Sequence, residues 1–398
     1  MRLVFLTQYY PPEIGAPQTR LAALTRALVQ RGWHVEVVTA MPHHLMGRIL
    51  HGYRGRIYSC EKLDGATVHR TWVYAASGTG VRRMLNYLSF AFSCLLGLLR
   101  VRRPDAIFVE SPPLFLAVPG WLAAKRYRCK LIFNVADLWP DAIRELGVLR
   151  PGPLLGVAER LEAWTYRRAT VVNAVTSGIE RSLRERKGVP VTKLRFLPNG
   201  VDTERLAPCE RSVALAQRLQ LDDRPLFVYA GTHGIAQGLH TLVDAAALAP
   251  YVTVLCIGGG TTKAALMAYA RARNVENVRF LDPVPLDEIP EYFSLAVASV
   301  VLLVRSELHR DARPSKLFAS FACGVPVIYG GEGEGADIVE HAGAGLVVPP
   351  EDPAALAMAM ATLAADPVQR TRMANNARTL AVERFAWSGI VDRWVASL

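Results

Sequence analysis

The chain has 398 residues, 51% of them hydrophobic and 20% charged, with 46 Lys and Arg against 35 Asp and Glu for a net charge of +11. That length favours two domains over one, and the composition excludes a low-complexity chain. The positive excess favours anionic partners: phosphates, anionic lipid or nucleic acid. Residues 3–6 read as a first buried strand, with no secretory signal ahead of them. A helix is expected over 18–31, ending at Gly32; its Arg20 either meets a phosphate or is a surface arginine. A second strand follows over 35–39. Then come His43, His44, Arg48, His51, Tyr53 and Arg54, a basic aromatic stretch that either holds a lipid diphosphate or is a solvated loop. Residues 84–99 are the longest apolar run, short of the roughly 20 needed to span a bilayer. Arg82, Arg83, Arg100, Arg102 and Arg103 flank it, so it is either a core helix or one lying in a membrane interface. Strands over 106–110, 130–135, 170–175 and 193–197 complete a β–α–β rhythm, hence a parallel sheet covered by helices. Asp137 lies just beyond the strand 130–135. There it either orients or deprotonates a hydroxyl or N-caps the helix containing Ala142 to Leu146.

The rhythm breaks at Pro198-Asn199-Gly200-Val201-Asp202. Residues 203–224 read as polar and helical. Strands then return over 226–230, 253–257, 278–281, 298–304, 325–329 and 345–348. This predicts two doubly wound α/β domains facing a cleft, 1–202 and 203–384, with 385–398 returning as a helix to the first. Such sheets bind ligands at the carboxyl ends of their strands, which draws attention to the loops after Leu6, Val135, Ala230, Ile257 and Val304. In the loop from Gly231 to Gly238, glycines let backbone N–H groups converge on an anion. Pro314-Ser315-Lys316 opens a helix, and Lys316 near its N-terminus favours anions further. Either feature alone reads more readily as an ordinary loop, whereas Lys316 reads more readily as an anion contact than as a solvated surface lysine. Together they predict a diphosphate site, and so a nucleotide. Gly258-Gly259-Gly260 lacks the third glycine of a dinucleotide fingerprint and reads as lining for a base pocket. No cluster has metal-ligand spacing. The six cysteines, without a C-x-x-C, fit reduced thiols in a cytosolic protein better than disulfides.

Several motifs resemble one family in order and spacing, almost end to end. They are Tyr9-Tyr10-Pro11-Pro12-Glu13-Ile14-Gly15-Ala16-Pro17, Arg31-Gly32-Trp33-His34-Val35-Glu36-Val37-Val38-Thr39, Asp137-Leu138-Trp139-Pro140, Phe196-Leu197-Pro198-Asn199-Gly200-Val201-Asp202, Gly234-x-x-Gln237-Gly238 and Pro314-Ser315-Lys316-Leu317-Phe318. The family is glycosyltransferase family 4, the retaining nucleotide-sugar glycosyltransferases of GT-B fold. The last motifs look like its bacterial O-antigen and capsule branch, typified by N-acetylfucosamine transferases. The resemblance implies two Rossmann-like domains and transfer of a sugar, N-acetylhexosamine foremost, from a UDP-sugar. The implied acceptor is an undecaprenyl-diphosphate sugar or a growing surface polysaccharide, at the inner face of the cytoplasmic membrane, with no metal cofactor. Three rivals stand beside it: a catalytically silent nucleotide-binding homologue, a nucleotide-sugar 2-epimerase of the same fold, and a nucleic-acid binder. Only the charge motivates the last, for no aromatic platform or recognition helix supports it.

The resemblance also implies roles. Gly15, Gly231, His233, Gly234, Gln237, Gly258, Arg313, Ser315, Lys316 and Leu317 would surround the donor. Family members usually place an Arg and a Lys in and after the glycine loop, where this chain has Thr232, His233 and Gln237. The cationic stabilisation of the leaving phosphate then falls to Lys316, with Arg305 or Arg313. The family's Glu-x7-Glu pair maps to Asp311 and Ala319, so the acid that binds the nucleotide ribose is missing. A lost charge-assisted hydrogen bond costs roughly 1.5–3 kcal/mol. A natural departure with another ribose partner, an inactive paralogue and an engineered substitution all fit that change.

Overall fold

The computed structural model describes residues 1–13, 15–43, 47–76, 80–141 and 152–398. They form two compact units, Met1–Asn199 with Ile390–Leu398, and Gly200–Gly389.

The first unit holds β1 (Arg2–Leu6), β2 (His34–Ala40), β3 (Tyr58–Leu63), β4 (Ala66–Thr71), β5 (Ala106–Ser111), β6 (Lys130–Val135), β7 (Val171–Ala174) and β8 (Leu194–Phe196). They lie in the order β3-β4-β2-β1-β5-β6-β7-β8. The inner strands are near-continuous apolar runs because both faces are covered. The expectation of a purely parallel sheet needs correcting at one edge, where β3 runs antiparallel to β4. The two strands join through Asp64 and Gly65, both at positive φ (50° and 79°). An Asp-Gly pair between two such runs is a hairpin signal legible in the sequence.

Helices α1 (Ala16–Gln30), α2 (Val81–Leu98), α3 (Ala117–Tyr127), α4 (Pro153–Arg168) and α5 (Ser177–Glu185) accompany this sheet. In α1, Leu21, Leu24 and Leu28 are fully buried at helical spacing. Helix α2 has one buried and one exposed apolar face. Asn86, Phe90, Cys94 and Gly97 are buried, whereas Val81, Leu85, Leu88 and Phe92 are exposed. Among the described residues no helix is long and apolar enough to cross a membrane. Trp394, from the C-terminal helix, is buried within the first unit edge-on to Phe108, and its indole N–H donates to Asn173 Oδ1 at 3.0 Å.

The second unit is a parallel sheet of β9 (Leu226–Ala230), β10 (Thr253–Ile257), β11 (Val278–Leu281), β12 (Ala298–Leu302), β13 (Val327–Gly330) and β14 (Gly345–Val348), in the order β11-β10-β9-β12-β13-β14. Ahead of it the expected helix over 203–224 shrinks to α6 (Val213–Arg218), started by the Ser212 hydroxyl, which accepts the Leu215 N–H at 3.3 Å. That helix buries only Leu215, and a stretch with no apolar stripe gains too little from packing to stay helical. Helices α7 (His240–Leu248), α8 (Lys263–Ala272), α9 (Ser315–Ala322) and α10 (Glu334–Ala342) follow strands of this sheet. In both sheets the strand order reverses beside a central strand: between β1 and β5 in the first, and between β9 and β12 in the second. Such switch points are where open α/β sheets leave a crevice beyond their carboxyl ends.

Candidate functional site

In the second unit the switch point is built from the loops after β9 and β12 and from the start of α9. Strand β9 ends at Ala230, and Gly231 continues its ladder by donating to the Ile257 carbonyl at 2.9 Å. Gly231 has φ 152°, and a Cβ there would lie 2.6 Å from Lys316 Cε. The glycine therefore gives the lysine stem its passage. Lys316 Nζ donates to the Tyr229 hydroxyl at 2.8 Å and lies 4.8 Å from that ring's centroid. The Tyr229 hydroxyl donates in turn to the Thr232 carbonyl at 2.5 Å. Among the described residues no carboxylate pairs with Lys316. Desolvation lowers its pKa to about 8. A partly buried cation beside a phenol and a glycine loop is stabilised by an arriving anion.

The remaining loop residues act as a frame. His233, expected as a weakly basic contact, is wholly buried. Its ring lies 5.7 Å from that of Tyr229 and 6.4 Å from that of Phe280. Burial, then Lys263 and Lys316, lower its pKa to about 4, so it is neutral near pH 7. Its backbone, N–H to the Gly259 carbonyl (2.8 Å) and carbonyl to the Thr262 N–H (3.1 Å), stitches the β9 loop to the β10 loop. Gly258, at φ 142°, permits that approach, since a Cβ there would collide with the Gly231 carbonyl. Gln237 turns inward, its Oε1 accepting the Gly234 N–H at 3.1 Å.

Helix α9 anchors Lys316 from below. Leu317 and Phe318 have their side chains in the core, so a contact of Leu317 with the donor would run through its backbone. Ser315 is exposed and Ala319 half-buried. Ser320 Oγ donates to the Lys316 carbonyl (2.9 Å) and meets Ser299 Oγ (2.8 Å). Arg313, expected beside Lys316 at the donor, is ion-paired with Glu334. Its Nε donates to Glu334 Oε1 at 2.7 Å and its Nη2 bonds the same oxygen, so its charge is compensated inside the protein. Arg305 is exposed and 3.9 Å from Glu332. Asp311 lies partly exposed in the turn between Arg310 and Arg313.

In the first unit Gly15 caps α1, its carbonyl accepting the Thr19 N–H at 3.0 Å. The buried Gln18 amide lies against it. Arg20 is not a surface arginine, and its buried Nη1 has no hydrogen-bond partner among the described residues. It is buried against Glu110, which also accepts from Asn134 Nδ2 at 3.1 Å. His43 likewise turns inward, with Nδ1 on the Met41 carbonyl (2.8 Å) and Nε2 accepting from Asn86 Nδ2 (2.9 Å). Ile14 and His44 lie outside the described residues, as do Ala142 to Leu146, whose helix Asp137 would cap in one of its two readings. Asp137 is exposed, two residues past the end of β6. Asp141, closing the same loop, bonds Lys187 Nζ at 3.1 Å, and that amine also meets Glu162 at 2.8 Å.

Sequence reasoning missed Tyr229 and Lys263. The Lys263 amine bonds the Gly258 and Leu281 carbonyls and Asp282 at 2.7–2.9 Å. Both faces of β9 are buried, so periodicity does not mark Tyr229 as polar in role. Lys263 sits three residues beyond the Gly258-Gly259-Gly260 run, a proximity that was readable. Among the described residues no group of acids, histidines and cysteines is placed to hold a metal ion.

Residues 15–200 match the family described as "Glycosyl transferase 4-like domain", and residues 214–380 match "Glycosyl transferases group 1". One similar protein is the putative colanic acid biosynthesis glycosyl transferase WcaI of Escherichia coli, 28% identical over 81% of this chain and 82% of its own length. Another is a GDP-mannose-dependent alpha-(1-6)-phosphatidylinositol monomannoside mannosyltransferase of Mycolicibacterium smegmatis, 30% identical over 72% of this chain and 80% of its own. Among solved structures, sucrose-phosphate synthase from Thermosynechococcus elongatus aligns with TM-score 0.78 at 20% identity, covering 99% of this chain and 97% of that one. HepE of Anabaena, solved in complex with UDP, aligns with TM-score 0.74 at 18% identity over the whole of both chains. The pair of parallel-sheet α/β units is the GT-B fold.

Proposed function

Since this chain belongs to the group 1 glycosyltransferases, we propose that its second unit holds a nucleoside-diphosphate sugar at Lys316 and that the enzyme passes the sugar, with retention, to a lipid-linked or growing surface saccharide. The observation that carries this reading is the uncompensated Lys316 amine at the switch point, beside the loop from Gly231 to Gly238. As the bond from the anomeric carbon to the phosphate oxygen breaks, negative charge grows on the departing diphosphate. A pre-placed ammonium stabilises that charge more than it stabilises the ground state. The acceptor oxygen bonds the anomeric carbon on the face the phosphate leaves, and its proton passes to a departing phosphate oxygen. In this scheme Asp137 orients the acceptor hydroxyl, and Asp311 lies near the sugar. No metal is assigned to the reaction.

UDP with an N-acetylhexosamine is the first donor reading, carried by the resemblance to the O-antigen and capsule branch. A GDP-sugar is the second, favoured by relatives named as GDP-mannose-dependent mannosyltransferases. An acceptor on a lipid or in a polysaccharide accords with the names of the relatives in E. coli and the mycobacteria. Ala319 makes this a transferase with a weakened hold on the ribose. The test is calorimetry of UDP and GDP on the chain and on Ala319→Glu, followed by nucleotide release from matched sugar donors with a lipid-diphosphate acceptor. The expected result is that Glu at 319 tightens the preferred nucleotide by about one to two decades, the worth of a charge-assisted hydrogen bond, and raises turnover. Binding of neither nucleotide by either form would overturn the donor assignment.

A further inference from the structure

Helix α2 has two unlike faces. Outward it carries Val81, Leu85, Leu88 and Phe92, with Leu99 at its C-cap, and Phe92 is 82% exposed. Their intervals of four, three, four and seven residues are whole helical turns, so all five share one stripe. The segment holding the exposed Trp72 and Tyr74 runs beside this helix. Ser93 Oγ bonds the Trp72 carbonyl, and the Tyr74 N–H donates to Ser89 Oγ at 2.9 Å. Helix α3 packs on α2 and exposes Val118 and Leu122. Single exposed leucines are ordinary, but a stripe this long with two aromatics beside it marks an interaction surface.

Positive charge dominates around the stripe; the acids at its C-terminal end are engaged, Asp105 by the Arg2 N–H at 2.7 Å and Glu36 by the Arg102 N–H at 3.1 Å. From Trp72 to Pro104 the chain has Arg82, Arg83, Arg100, Arg102 and Arg103 and no acid; from Ser111 to Ala136 it has Lys125, Arg126, Arg128 and Lys130 and again no acid. All of these but Arg83 are exposed. A second copy of the chain would bring like charges together on this face, whereas an anionic bilayer complements it. We infer that α2 seats the protein on an anionic lipid surface. The stripe enters the acyl boundary, Trp72 and Tyr74 lie at headgroup level, and the arginines meet lipid phosphates. The buried side of the same helix reaches the first sheet. Asn86 bonds Gln8 after β1 (2.7 Å), His43 after β2 (2.9 Å) and the Tyr74 carbonyl (2.7 Å). The element that meets lipid thus also holds the loops at the carboxyl ends of β1 and β2. This deepens the proposed action on a lipid-linked acceptor and rests on it only for the acceptor's identity, since lipid binding is measured without turnover.

The test is co-sedimentation of the full chain with phosphatidylcholine vesicles, with and without phosphatidylglycerol. Phe92→Asp and the pair Arg82→Gln with Arg100→Gln are compared with the parent, and melting temperature and nucleotide affinity are followed in parallel. The expected result is binding that requires phosphatidylglycerol and weakens with salt. It falls at least tenfold in Phe92→Asp and about fivefold for each arginine neutralised, with folding and nucleotide affinity unchanged. Absence of vesicle binding, or binding indifferent to phosphatidylglycerol, would overturn the inference. So would a dimer in sedimentation velocity that Phe92→Asp dissociates, for the face would then join two copies. Loss of nucleotide binding alone would strike the donor reading and leave this one standing.

Discussion

Lys316 and His233 are neighbours with opposite burdens. His233 is wholly buried and Lys316 partly so, and desolvation pushes each toward its neutral form. Lys316, with its pKa near 8, stays mostly charged at pH 7. His233, with its pKa near 4, does not charge until acid. The folded value of His233 lies below the ordinary 6.5. Its contribution to stability is therefore complete above pH 6.5 and is lost as pH falls through 4. The gap corresponds to about 3 kcal/mol. Replacing His233 by Phe keeps a buried ring and removes the titration. Urea unfolding of the parent should weaken relative to His233→Phe by about that amount between pH 7 and pH 4. Parallel pH dependence in the two proteins would show that His233 does not titrate with folding.

Among the elements, the strand–loop–helix joints of the second unit decide the site. The β9 and β10 loops lie backbone to backbone because Gly258 has no side chain. Gly258→Ala meets both a carbonyl and an unfavourable φ, so the loops must separate. The expected cost is about 1–3 kcal/mol of stability, with nucleotide affinity lost alongside. A Gly258→Ala protein that binds nucleotide as tightly as the parent would remove the β10 loop from the site. These joints were partly legible. The apolar runs and the glycines located the loops, and Pro314 marked the start of α9. Orientation was not legible. Leu317 faces the core, Gln237 folds onto its own loop, and Arg313 finds Glu334 across 21 residues. Those outcomes depend on tertiary partners that local pattern does not name. The β3–β4 hairpin was different, for Asp64-Gly65 states its turn type openly and needed only to be weighed as such.

Across the whole molecule the net charge of +11 divides into two kinds of positive charge. Lys316 is inward and unpaired by any carboxylate among the described residues, suited to an anion that enters the second unit. The arginines and lysines of α2, α3 and their flanks, Arg83 apart, are outward and outnumber the nearby acids, suited to a surface. Bulk charge alone named anionic partners without separating these two. The parallel sheets were written in the β–α–β rhythm. The chemistry was written more faintly, because the usual Arg and Lys of the glycine loop and the Glu expected at 319 are absent from this chain. In the proposed reaction, activity leans on Lys316 more heavily than in a fully equipped relative.

Calorimetry of UDP and GDP at pH 7 and pH 9, on the parent chain and on Lys316→Met, tests that dependence most directly. A bound diphosphate restores the amine's preference for its proton, so binding at pH 9 should take up a proton. Affinity should fall about tenfold from pH 7 to pH 9, as expected for a free pKa near 8. Lys316→Met should bind roughly ten- to a hundredfold more weakly at pH 7 and show no such fall. Equal affinity in the two proteins, or a pH dependence that survives the substitution, would contradict the claim that Lys316 holds the donor phosphate.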